Sequence, residues 1–143
     1  MKKSEKALNC FNEGYNCAQA VVMAFSEELG LSEEWAKKVA ATFGGGMGRK
    51  GNVCGAVTGA MIVLGLKNGG KIDDKEKNYA DVVKFWDKFT TVHGSIICRE
   101  LLEYDISTPG GLKKMKELNL HEKVCAKLVA HAAELLEKDC LCE

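Results

Sequence analysis

Proline occurs once in this chain, at Pro109, and no excess charge separates its 20 basic from its 20 acidic residues. A chain without a basic stretch has no electrostatic footprint for nucleic acid or for an anionic lipid surface. Long apolar runs are also missing. The longest, residues 53–66, is broken by glycine and is 14 residues long, short of the ~20 that span a bilayer. Residues 1–6 carry no apolar segment, so no signal peptide is expected and the cytoplasm is the expected compartment. No stretch alternates polar and apolar residues for more than a few positions, which excludes a sheet. Cys-x-x-Cys is absent, and with it the signature of a thioredoxin-like motif or a zinc ribbon.

Helical periodicity fills the remainder. Ala7, Leu8 and Phe11 mark a helix over 4–13, interrupted at Gly14. Ala18, Val21, Val22, Phe25 and Leu29 line one face of a second over 15–29, and Ser32 opens a third running to about 42. Asp73 and Asp74 start a long helix with a stripe of Tyr79, Val82, Val83, Trp86, Phe89 and Val92 or His93. Ile96, Ile97, Leu101 and Leu102 continue the pattern past Gly94, around Cys98. The stretch 107–111 holds the proline and reads as a turn. A short helix over 112–118 and a last one over 121–138 follow. The expectation is an all-α, single-domain multi-helix bundle over 1–143, with 139–143 a flexible tail.

The organising stretch is 43–66. Five glycines in the nine residues 43–51 can form no regular element, so they make a tight loop leading into a buried apolar helix. Asn52 is the nearest good capping residue. Gly55 and Gly59 lie four apart, as do Ala56 and Ala60, leaving one side of that helix nearly bare backbone. Cys54 falls at the positive end of the helix, where thiolate is favoured over thiol. The loop contains neither Gly-x-x-x-x-Gly-Lys-Ser/Thr nor a strand-framed Gly-x-Gly-x-x-Gly, which argues against nucleotide binding.

Cysteine is abundant: seven residues, an odd number that cannot pair completely within the chain. In a reducing compartment such residues point to metal binding, catalysis or redox chemistry. Cys17, Cys54, Cys98 and Cys125 each sit in a different predicted helix beside apolar neighbours. Facing helices of a bundle can bring such ligands together. The same four also fit a plainer reading as small core hydrophobes. Cys10, Cys140 and Cys142 fall outside this set. His121, four residues before Cys125, could share its helix face or simply be exposed, and His93 is open in the same way. Arg99 is expected to pair with Glu103.

The segments 13–20 (Glu-Gly-Tyr-Asn-Cys-Ala-Gln-Ala), 43–48 (Phe-Gly-Gly-Gly-Met-Gly), 53–60 (Val-Cys-Gly-Ala-Val-Thr-Gly-Ala), 93–101 and 125–129 carry a resemblance. Together they are similar, nearly end to end, to the family labelled C_GCAxxG_C_C after its cysteines and described as redox-active. One departure is plain: the label has Gly-Cys-Ala, whereas this chain has Cys54-Gly55-Ala56. The resemblance implies four functional cysteines, Cys17, Cys54, Cys98 and Cys125, as metal ligands. It also implies a relation to the iron–sulfur-bearing domain of a dimeric cytochrome of sulfate-reducing bacteria. An iron–sulfur cluster is then the expected cofactor and a homodimer the expected assembly, with an unnamed electron-transfer partner. Haem is not expected, since Cys-x-x-Cys-His is absent. Two alternatives stand beside this: a thiol–disulfide enzyme using Cys54 with Cys17, and a structural zinc site or helical interaction module.

Overall fold

The computed structural model describes residues 1–140, with side chains through Lys138. Eight α-helices are present among them: α1 (Lys3–Asn12), α2 (Cys17–Ser26), α3 (Glu33–Val39), α4 (Gly55–Asn68), α5 (Lys75–His93), α6 (Cys98–Leu102), α7 (Pro109–Glu117) and α8 (Ala126–Leu135). A 3-10 turn (Ile72–Asp74) precedes α5, and wide π turns flank α8 at His121–Cys125 and Leu136–Cys140. The fold is all-α, as its periodicity requires. None of the described helices is long and apolar enough to cross a membrane. The tail residues 141–143, Cys142 among them, and the side chain of Cys140 lie outside the described part.

Helix α2 is the hub, packing chiefly on α4 and α1, while α1 also packs on α8. The α2–α4 approach is close because α4 presents glycine there. A Cβ on Gly59 would lie 2.9 Å from the Ala18 carbonyl oxygen, and one on Gly55 would lie 2.9 Å from Cys17 Cβ. The bare face read from the spacing is thus used by another backbone. Around this contact Val21, Val22, Phe25, Val57, Val63, Leu64 and Val129 are almost fully buried. Burying a side chain of this kind contributes ~1.5–3 kcal/mol each.

Three expectations change. The stripe on α5 is rotated: Phe85 and Phe89 are its buried residues, whereas Tyr79, Val83 and Val92 are 60%, 58% and 62% exposed. Positions 82, 85, 89 and 93 form an equally good helical stripe, and only packing against α4 and α8 selects between the two. Pro109 does not sit in a turn before α7 but occupies its first position, with Thr108 as the cap accepting from the Gly111 N–H at 3.0 Å. Proline suits that position because its missing N–H would be unpaired there anyway. Asn52 does not cap α4; Cys54 itself is the capping position.

Near the end of α5, His93 Nε2 lies 2.7 Å from His131 Nδ1 on α8, with both rings against Phe89. One of the two nitrogens must be unprotonated to accept. Burial first, and then the neighbouring His131, hold His93 below the ordinary value of 6.5. The folded state therefore binds fewer protons than the unfolded one just below that value. This contribution to stability is present above about pH 6.5 and is lost as the pH falls through and below it. The melting temperature is expected to drop more between pH 7.5 and 5.5 in the native protein than in a His93→Gln variant, as followed by circular dichroism.

Candidate metal centre

Cys17 is the first residue of α2, and a polar clamp fixes it there. Asn16 Oδ1 accepts from the Gln19 N–H at 2.8 Å, and Gln19 Oε1 accepts from the Asn16 N–H at 3.0 Å. This reciprocal capping box satisfies two N–H groups at the helix start. The same side chains reach the end of α3, with Asn16 Nδ2 donating to the Ala41 carbonyl (3.1 Å) and Gln19 Nε2 to the Lys37 carbonyl (2.9 Å). The Asn-x-x-Gln spacing was a readable cap signal, although its second task, tying α2 to α3, was not.

Cys54 and Cys98 are brought together by backbone pairing. Val53 and Ile97 form one antiparallel bridge. Beside it the Cys54 N–H donates to the Ile96 carbonyl at 2.7 Å and the Cys98 N–H to the Asn52 carbonyl at 2.6 Å. Arg99 adds a clamp, donating from Nη1 to the Gly51 carbonyl (3.2 Å) and to Asn52 Oδ1 (2.8 Å). Arg99 thus holds the glycine loop; no ion pair with Glu103 forms among the described residues. The loop turns through left-handed backbone at Gly45, Gly46, Gly48 and Arg49. Gly46 has to be glycine twice over: its φ is +62°, and a Cβ would lie 2.6 Å from Cys98 Cβ.

Cys125 closes the π turn that leads into α8, a kind of distortion common at functional sites. All four cysteines line a single cavity of about 800 Å³, between α2, α4, α6 and the start of the last helix. Cys54, Cys98 and Cys125 are buried and Cys17 is half-buried. The Cys17 and Cys125 side chains are hydrogen-bonded to one another. That bond, then burial and the other three sulfurs, push the Cys17 thiol well up, while the same bond draws Cys125 down. Burial pushes Cys54 up to about 11, which the N–H groups of Ala56 and Val57 offset only in part. Cys98 is pushed up to about 12 by burial and by Cys54 and Cys125, with Arg99 opposing. The expectation of a low-pKa Cys54 at a helix start is therefore overturned, because desolvation outweighs the helix end.

The remaining candidates divide cleanly. His121 lines the same cavity as Cys125, exposed at its edge and stacked on Phe11 at 4.2 Å. His93 is committed to His131 and does not line it. Cys10 lies apart on α1. Among the described residues, no three His, Cys, Asp or Glu side chains are grouped as one metal ion requires.

The chain is 30% identical over 116 residues to an uncharacterized protein of Archaeoglobus fulgidus, covering 71% of this chain and 77% of that one. No solved structure matches significantly. A family model described as "Putative redox-active protein (C_GCAxxG_C_C)" matches residues 15–138, a span that includes all four cavity cysteines. With that match over most of its length, the chain belongs to the C_GCAxxG_C_C family of redox-active proteins.

Proposed function

We propose that Cys17, Cys54, Cys98 and Cys125 hold an iron–sulfur cluster and that the protein serves electron transfer or redox sensing. The observation that supports this is the arrival of four sulfurs, dispersed over more than 100 residues of chain, on one cavity. Thiolates are the ligands that such clusters require. Leu101, Leu102, Ile106 and Leu128 give the cavity apolar walls, which lower the local dielectric. The bond to Cys125 and then burial hold the Cys17 thiol in the neutral form, and burial does the same for Cys54 and Cys98. A bound cation reverses that balance, since a coordinating thiol is deprotonated outright. When bound, a cluster supplies one-electron transfer at iron; the chain supplies the ligands, the orientation and the apolar surroundings.

Structural zinc uses the same donor type. Four sulfurs at ~2.3 Å from one zinc would stand only about 3.8 Å apart. Among the described residues no three such side chains are grouped that closely, which argues against a single zinc ion. Protein purified without oxygen and reconstituted with iron and sulfide is expected to be brown, to retain both elements, and to bleach on reduction with dithionite. Colourless, iron-free protein after reconstitution would overturn the proposal, as would stoichiometric zinc with no redox response.

The Cys17–Cys125 contact favours a second reading for metal-free protein. These two sulfurs join as a disulfide, passing two electrons and two protons to an external disulfide such as oxidised glutathione. Peptide mapping after oxidation is expected to find Cys17 joined to Cys125; a Cys17–Cys54 link, or no link, would count against it.

A further inference from the structure

The cavity is larger than a sulfur-held centre requires. Thiolate–metal bonds are about 2.3 Å long, so such a centre stays within a few ångströms of the cysteines and fills a minor part of about 800 Å³. That volume lies in the range of small-molecule sites, ~300–1,000 Å³. The walls away from the sulfurs are uneven in charge. Arg49 and Lys116 both line the cavity, and no aspartate or glutamate does, although the chain as a whole carries equal numbers of each sign. Neither cation makes an ion pair among the described residues. Beside them, Leu112, Met115 and Ile106 give apolar lining.

Arg49 has a further peculiarity. It holds a left-handed backbone, φ +65°, which non-glycine residues rarely adopt and which costs on the order of 1–2 kcal/mol. Such strain persists where the surroundings impose it, and it is concentrated at binding and catalytic sites. Arg49 packs closely within the glycine loop: a Cβ on Gly45 would lie 2.7 Å from the Arg49 nitrogen. A second hollow, of about 390 Å³, shares Arg49, Gly48, Ile106 and Leu112 with the first and adds Lys50, again without a carboxylate. Arg49 thus stands where the two hollows meet.

We propose that the part of the cavity bounded by Arg49, Lys116, Leu112 and Met115 binds a small organic molecule with an oxyanion head and an apolar body, next to the cysteine sulfurs. Arginine's planar fork matches a carboxylate, sulfonate or phosphate head in a bidentate manner. Lys116 adds a second positive charge, and the leucine and methionine side chains receive the body. This site does not depend on which metal the sulfurs carry.

Titration calorimetry on reduced protein under nitrogen tests it, using benzoate and benzenesulfonate as anions. Benzamide and benzylamine serve as neutral and cationic counterparts, and inorganic phosphate as a head without a body. At least one aryl anion is expected to bind one per chain, tenfold or more tighter than benzamide, benzylamine and phosphate. This preference should weaken with added salt and disappear in the Arg49→Gln, Lys116→Gln double variant. Lys116→Glu alone, at an exposed position, provides a second variant that leaves the loop untouched and should lower aryl-anion affinity at least tenfold. Absence of aryl-anion binding, equal binding of benzamide, benzylamine or phosphate, or an undiminished preference in variants that remain helical would overturn it. Iron assayed on the same samples separates failure here from failure of the cluster assignment.

Discussion

Cys54→Ser protein is expected to lose bound iron at least tenfold relative to the native chain after identical anaerobic reconstitution, with its helical circular dichroism unchanged. Loss of a partner that merely orients a ligand already costs ~10–100-fold in metal affinity, and removal of a ligand should cost no less. Cys54 is the informative position because it caps α4 and lines the cavity together with the other three cysteines. A serine oxygen can itself ligate iron, so Cys54→Ala is the stricter version of the same test. Cys125→Ser should behave likewise. Cys10→Ser should retain full iron, since Cys10 sits on α1 away from the cavity. If Cys54→Ser and Cys54→Ala both kept their iron, the four-sulfur assignment would fail, whatever the colour of the native protein.

The second large effect belongs to a residue with no chemistry of its own. Gly46→Ala is expected to destabilise the protein by about 2–5 kcal/mol in urea unfolding and to lower iron retention at the same time. Two causes add: a left-handed φ, worth ~1–2 kcal/mol for a residue with a Cβ, and overpacking, worth ~1–3 kcal/mol. The new methyl would lie 2.6 Å from Cys98 Cβ and 2.7 Å from the Asn52 carbonyl. That carbonyl accepts from the Cys98 N–H, so the methyl strikes the sulfur's own anchorage. Gly48→Ala separates the two causes. Gly48 has a similar φ of +57° but nothing within 4 Å of its would-be Cβ. It should lose only the backbone share, about 1–2 kcal/mol, and keep its iron. Equal iron retention in the two variants would show that the Gly46–Cys98 contact does not position the sulfur.

Several features of this architecture were legible before any coordinate. The start at Ser32, the break at Gly14 and the period of apolar residues place α1 to α4 within a few positions, because each signal acts within one or two turns. The glycine pair 55 and 59 announced a close backbone contact, and α2 makes it. The stripe on α5 was misread for a reason of the same kind. Two apolar stripes coexist on that helix, and which one turns inward depends on α4 and α8, not on the helix itself. Arg99 was assigned a neighbour four residues away, a pairing typical of isolated helices. α6 is only five residues long, so the guanidinium reaches back to Gly51 and Asn52 instead. The ionisation of Cys54 went the other way from the local expectation, since burial depends on the whole fold.

The order of residues alone thus specifies an all-helical chain, a glycine loop leading into a bare-faced helix, and four cysteines each delivered on its own element. Packing of distant elements is what brings these sulfurs onto one cavity, pairs Cys17 with Cys125, and lines the same space with Arg49 and Lys116. The reason is range. Caps, turns and periodicity act over a few residues, whereas gaps of 37, 44 and 27 residues between successive sulfurs close through the α2–α4 glycine contact, the Val53–Ile97 bridge and the packing of α8 on α1 and α2.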